Sequence, residues 1–300
     1  MICAIIDIGS NTMRMSVYKT EGEQFSVLLS KKEMAGLVNY IKEGRMSEEG
    51  IDVLLSVLRR FCAALEYVSV DTIHAFATAS MRNILNAEEV IARIYSAIGL
   101  EIELISGAEE AMLSFFGAVN AAPFTDGCLF DLGGGSTEIV AFDDCHPYYI
   151  NSMDMGCLNL FQGHVKKIWP RKKEIEEMRG FIAEKLEQIR LPHPPKPLLI
   201  GVGGTARSLR ELIDLREKRD TSCKEISREE LEDTITFLLQ KDREARDAVL
   251  KKCPDRIHTI IPGILVVQAL AEKMETERFY ISDYGVREGY LWKKIIKATI

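Results

Sequence analysis

The stretch that decides the fold is GCLFDLGGGSTEIVAF, residues 127–142. It opens with an apolar run, carries an acid, Asp131, near the end of that run, and turns through Gly133, Gly134 and Gly135. It leaves through Ser136, Thr137 and Glu138 into a second apolar segment. Short apolar runs bounded by a glycine turn read as strands. The same order occurs 124 residues upstream in CAIIDIGSNTMRMSVY, residues 3–18, with Asp7 at the strand end and Gly9, Ser10, Asn11 and Thr12 in the turn. An internal echo of this kind predicts a duplicated α/β unit whose two halves face each other.

Outward from the two echoes, strand and helix patterns alternate. In the first half the periodicity predicts helices over 47–66, 87–98 and 108–120 and strands over 72–77 and 101–105. The second half reads as a helix over 172–188, the connection LPHPPKP (191–197), a strand over 198–202 and the turn Gly203-Gly204-Thr205. Helices through Leu250, a helix over 263–274, a strand over 278–282 and a last helix from Val286 complete it. Three helix starts carry a carboxylate three residues after a capping side chain: Asn86 with Glu89, Ser106 with Glu109, and Ser227 with Glu230. Alternation of this kind is α/β architecture. A chain of 300 residues exceeds what one core usually serves, so two domains are expected, 1–121 and 122–300.

Composition narrows the function. No apolar stretch approaches the roughly 20 residues of a membrane span, and the start lacks a basic signal-peptide region, so a cytoplasmic protein with no membrane partner is expected. Seven scattered cysteines without a C-x-x-C pair argue against a disulfide framework and a zinc knuckle. The net charge is −7: residues 1–150 carry 10 Lys and Arg against 21 Asp and Glu, residues 151–300 carry 28 against 24. Nucleic acid is therefore not an expected partner. The run Lys166, Lys167, Arg171, Lys172, Lys173 reads either as a polyanion surface or as a solvated helix start.

Three glycine turns follow apolar strands: 7–12, 131–138 and 201–205. Glycine lets backbone N–H groups approach an anion, and Ser, Thr and Asn add donors, so Gly9 to Thr12, Gly133 to Thr137 and Gly203 to Thr205 are candidate phosphate-binding residues. None fits the P-loop or the dinucleotide fingerprint. Asp7, Asp131 and Glu138 suit Mg²⁺, which takes one or two carboxylates with waters and phosphate oxygens; each Asp alone also reads as a turn residue bonded to its own backbone. In ISGAEEA, residues 105–111, Glu109 falls where it can bond back to the cap, which leaves Glu110 without a structural duty. Glu110 is either a base for an attacking water or a complement to the helix dipole. Arg82, in ATASMRN, either grips phosphate oxygens or caps a helix at the surface.

Taken together, DIGSNT, ATASMRN, ISGAEEAMLSFFGA, DLGGGSTE, MGCLNL, GVGGT, IIPG and YGVREGYLW resemble, in this order, the exopolyphosphatase/guanosine pentaphosphatase family. The resemblance implies two RNase H-like domains of the actin-like ATPase superfold around a cleft, in a short form without the family's extra helical domains. It implies Glu110 as the base that activates water, Asp131 and Glu138 around the metal, Mg²⁺ or Mn²⁺, and Arg82 with the first two turns clamping terminal phosphates. The implied substrates are inorganic polyphosphate and guanosine pentaphosphate. A kinase or ATPase of the same fold and a weakly catalytic polyphosphate or guanosine tetraphosphate sensor are the alternatives, and a homodimer is the assembly entertained. Two departures bear on substrate grip: Asn159 stands where the family commonly has Arg, and His258 where it often has Asp.

Overall fold

The computed structural model describes residues 1–121, 124–192, 195–219, 223–240 and 243–297. Residue 122, where the expected second domain starts, and His193 and Pro194 of the 191–197 connection lie outside the described residues. β1 (Ile2–Ile8) is apolar at every position but Asp7 because helices cover both its faces. It pairs antiparallel with β2 (Thr12–Glu21), which pairs with β3 (Gln24–Met34); the small hairpin of β4 (Ile41–Lys42) and β5 (Arg45–Met46) stands apart. After a crossover, β6 (Thr72–Ala77) runs parallel to β1, and β7 (Glu103–Leu104) parallel to β6. The first sheet is thus ordered β3-β2-β1-β6-β7.

The second sheet repeats this plan. β8 (Gly127–Leu132), β9 (Thr137–Asp143) and β10 (His146–Met153) form an antiparallel meander, and β11 (Leu198–Val202) runs parallel to β8. β12 (Glu225–Ser227) is an edge strand beside β13 (Arg278–Ile281), giving the order β10-β9-β8-β11-β13-β12. The echo holds at the level of register: Asp7 faces Arg14 across one hairpin, and Asp131 faces Glu138 across the other.

The helices are α1 (Glu48–Glu66), α2 (Ala79–Arg82), α3 (Ala87–Ile98), α4 (Gly107–Val119), α5 (Cys157–His164), α6 (Lys172–Glu187), α7 (Gly203–Glu217), α8 (Arg228–Leu239), α9 (Arg243–Lys252), α10 (Ile260–Lys273) and α11 (Val286–Tyr290), the last continuing as a π-helical turn over Leu291–Ile296. The expected helices and strands are found close to their sequence-read bounds, except that the strand over 101–105 shortens to β7 and the turn at 203–205 is the start of α7. Of the three caps, Ser227 and Glu230 form the reciprocal pair. At α4 the Ser106 hydroxyl accepts from the Glu109 N–H at 3.1 Å, but the Glu109 carboxylate goes to Lys294 at 2.7 Å. Asn86 turns to the backbone of Met46 instead of its own helix. In both cases a tertiary partner takes the side chain that the local pattern reserved for the cap.

Side chains of α1 and α3, among them Leu54, Phe61 and Val90, share a core with Ile6 and Ile8 of β1. Ile5 and Phe76, on the opposite face, pack with Tyr290 and Leu291 from the far end of the chain, the Tyr290 ring stacked on Phe76 at 5.0 Å. In the second sheet Phe130, Leu132 and Ile139 share the largest core with α6, α7 and α10, while Leu129 and Val140 meet Ala111 and Phe115 of α4. α4 and α11 therefore lie between the sheets, and two glycines let their backbones touch. A Cβ on Gly289 would fall 1.8 Å from the Leu113 carbonyl oxygen, and one on Gly117 2.1 Å from that of Gly285. No helix among the described residues is long and apolar enough to cross a membrane. All seven cysteines are free.

Candidate active site

Hairpin geometry places each glycine turn at the same end of its sheet, where the strand order brings both to one cleft. In β1–β2 the Gly9 N–H closes the turn on the Thr12 carbonyl at 3.2 Å; in β8–β9 the Gly133 N–H does so on Ser136 at 3.0 Å. The turns face each other: a Cβ on Gly134 would lie 3.6 Å from the Asn11 Cβ and 3.8 Å from that of Ser10. Between them and the start of α7 is a cavity of about 170 Å³. Its wall includes Asp7, Glu110, Asp131, Gly9 to Thr12, Gly133 to Ser136, and Gly203 and Gly204. Ser10, Gly134 and Glu110, far apart in sequence, thus meet at one pocket.

Both turns are held from behind. The Ser10 and Asn11 carbonyls accept from the N–H groups of Val38 and Gly36, at 3.1 and 2.9 Å. The Gly133 carbonyl accepts from Cys157 N–H at 3.0 Å, and that of Gly134 from Leu158 at 2.9 Å and Asn159 at 3.2 Å. The Gly135 carbonyl is held in the same way by Asn159 Nδ2 at 2.9 Å. In a trans peptide the C=O of one residue and the N–H of the next point in opposite directions. Pinning these carbonyls outward therefore turns the following amides away from the donors, and among them the N–H groups of Asn11, Gly134, Gly135 and Ser136 have no partner among the described residues. Unpaired amides at facing turns are a concave donor site for an anion.

The carboxylates on this wall are short of water. Burial pushes Asp7 up to about 6, against the opposing pull of Arg287 and Arg14. Burial likewise pushes Glu110 up to about 7, although Arg82 donates to its Oε2 at 2.9 Å. Asp131 is raised by burial while the Ser114 hydroxyl, donating to its Oδ2, pulls the other way. A carboxyl poised near neutrality with one oxygen pinned can take a proton from water at the other.

Four expected residues stand off the wall. Arg82, expected to grip phosphate, donates through Nη1 to Glu110 at 2.9 Å and to the Ile105 carbonyl at 3.2 Å. Glu138 is buried against Ser152, whose hydroxyl donates to it at 2.8 Å, and burial together with Glu110 and Asp131 raises it well above the usual carboxylate range. The Thr137 hydroxyl donates to the Met155 carbonyl, and that of Thr205 accepts from Arg256 at 3.4 Å.

The cations were not foreseen. Arg14, Lys32, Arg207, Arg256 and Arg287 all line the cavity. Arg14 and Arg207 have no hydrogen-bond or ion-pair partner among the described residues, and Arg207 is pushed down to about 10 by burial and by its neighbours Arg14, Arg287 and Arg256. Buried guanidiniums that repel one another await an anion. Arg14 was findable as the cross-hairpin partner of Asp7, and Arg287 within the YGVREGYLW motif; Arg207, the fifth residue of α7, gave no signal.

The model of the Ppx/GppA phosphatase family matches residues 16–298. The chain belongs to the Ppx/GppA phosphatase family. Among curated members, exopolyphosphatase 2 of Mycobacterium tuberculosis is 27% identical over 311 residues, covering 95% of this chain and 96% of that one. Exopolyphosphatase 1 of Mycobacterium bovis is 24% identical, covering 98% and 88%. Among solved members, the Ppx/GppA protein of Aquifex aeolicus superposes with a TM-score of 0.82 at 26% identity, covering 99% and 98%. An exopolyphosphatase from Cytophaga hutchinsonii superposes at 0.88 and 23%, covering 100% and 99%, which speaks to the fold. The α/β fold of two sheets around a cleft, read from the sequence as that of this family, is the fold the structure has.

Proposed function

We propose that the protein is an exopolyphosphatase-type phosphohydrolase that releases orthophosphate from the end of inorganic polyphosphate, with guanosine pentaphosphate as a second substrate of the same chemistry. The observation that carries this reading is the convergence on one cavity of a carboxyl poised near neutrality, two back-bonded amide turns and partnerless guanidiniums. The terminal phosphate sits between the turns, its oxygens taking the amides of Asn11, Gly134, Gly135 and Ser136. Arg14 and Arg207 hold the charge that spreads over the transferring group. Glu110, steadied by Arg82, accepts the proton of the attacking water, while Lys32 and Arg256 receive the rest of the chain.

Asp7 and Asp131 are the wall residues that suit Mg²⁺ or Mn²⁺. Among the described residues no three His, Cys, Asp or Glu are grouped as a metal cluster, and two carboxylates completed by water and phosphate oxygens are what Mg²⁺ accepts. Bound there, the ion would neutralise phosphate oxygens. Glu138, behind the wall, is not needed for that set. The domains 1–121 and 122–300 are proposed as the two jaws of the cleft, and seven free cysteines accord with a cytoplasmic location.

The sensor alternative loses its support, since Asn159 and His258 both have structural partners, Gly135 and Phe161. The test is orthophosphate release from polyphosphates of graded length and from guanosine pentaphosphate, with and without Mg²⁺, beside ADP formation from ATP. Release from polyphosphate is expected; ADP formation alone would assign the chain to the kinase or ATPase class.

A further inference from the structure

α5 begins without a side-chain cap. Its N-cap is Gly156, and its first amides are spent on the Gly133 and Gly134 carbonyls. Glycine is required there, because a Cβ on Gly156 would fall 2.2 Å from the Gly134 carbonyl oxygen. The third carbonyl of the turn, that of Gly135, lies beyond reach of the helix backbone. It is met instead by a side chain: Asn159 Nδ2 donates to it at 2.9 Å. By trans-peptide geometry this bond aims the Ser136 N–H the other way. Ser10 packs against Gly135, its Oγ 2.7 Å from where a Cβ would stand.

We propose that Asn159 is a positioning residue of the anion site, acting through the Gly135–Ser136 peptide to present the Ser136 amide to a bound phosphate. This deepens, and rests on, the reading of the two turns as a phosphate cradle. Without the donor, three glycines in succession leave that peptide free to rotate, and a rotated peptide would offer a phosphate its carbonyl oxygen. The first turn needs no such device, since the counterpart carbonyl there, that of Asn11, is held by the backbone N–H of Gly36 at 2.9 Å. Asn is a fitting residue here: it donates, carries no charge that would compete with substrate, and is short enough to stay at the first turn of α5.

The test uses two near-isosteric variants, Asn159→Asp and Asn159→Leu, assayed on polyphosphate from pH 5 to 8, with orthophosphate affinity measured by calorimetry. At pH 8 both lose about tenfold in kcat/KM, mainly through KM, the scale of one buried carbonyl left unpaired. Relative to wild type at the same pH, the Asp variant recovers as pH falls, because a protonated carboxyl again donates to the Gly135 carbonyl; the Leu variant does not. A general packing defect would show no such rescue. Kinetics within twofold of wild type for both, or an Asp deficit that is flat with pH, overturns the inference. Failure of the wild type to hydrolyse polyphosphate would count against the function proposed above, and orthophosphate affinity, expected to drop about tenfold in the Leu variant, would still decide on Asn159.

Discussion

Replacing Glu110 by Gln bears most directly on the chemistry. The carboxyl is pushed up to about 7, with Oε2 held by Arg82 at 2.9 Å and Oε1 without a partner among the described residues. A group with that pKa is about one tenth ionised at pH 6 and about nine tenths at pH 8, so turnover should rise about tenfold per unit below pH 7 and level off above it. Gln keeps the shape and an oxygen for Arg82, so the fold should persist, yet it cannot take a proton. The rate at pH 8 should fall about 100-fold or more, and the rising limb should vanish. Orthophosphate release from pH 5.5 to 9, with circular dichroism as a check on folding, decides the matter. A Gln variant within tenfold of wild type, or one that keeps the limb below pH 7, would refute Glu110 as the base.

Three further outcomes follow from the same geometry. Arg82→Met removes the strongest influence holding the Glu110 pKa down, so the rising limb should move to higher pH, and a move to lower pH would contradict the pairing. Arg207→Met removes a buried cation that its neighbours repel; KM for polyphosphate should rise about tenfold while thermal stability holds or improves, and a KM unchanged within twofold would remove Arg207 from the substrate site. Asp7, at about 6, and Glu110, at about 7, lie above their unfolded values, so between about pH 4 and 7 the folded state holds more protons than the unfolded one. Their contribution to stability is full below pH 4 and lost as pH rises through 7, and added Mg²⁺, which favours ionised carboxylates, should raise Tm more at pH 8 than at pH 5.

The fold was legible because its deciding features are backbone features. A strand ending in an acid and a glycine turn has few alternatives, and its recurrence at Asp7 and Asp131 announced two equivalent hairpins, which the matching registers bear out. Side-chain direction was less legible. Thr137 and Glu138 sit in the right motif, but as residues of β9 their side chains are committed to Met155 and Ser152, away from the cavity wall. Nothing local to Arg82 showed that α4 would bring Glu110 to it. The cations were hidden for a different reason. They come from β2, β3, α7, the turn at 254–256 and α11, and only the closed topology gathers them.

Charge counted along the chain misled for the same reason. The first half, with 21 acids against 10 bases, nonetheless supplies Arg14 and Lys32 to the cavity. The two hairpins are copies in register but not in sign: the place opposite the strand-end Asp is Arg14 in one and Glu138 in the other. A carboxylate in place of Arg14 would have added an acid to the cavity proposed to hold phosphate. With Arg14 in place, Asp7, Glu110 and Asp131 face five cationic side chains, and burial keeps Asp7 and Glu110 partly protonated near neutral pH. The cavity is therefore positive in a chain whose net charge is −7. That local sign, to which the divergence between the duplicated strands contributes Arg14, is what the proposed reaction requires of a pocket where acids meet a polyanion.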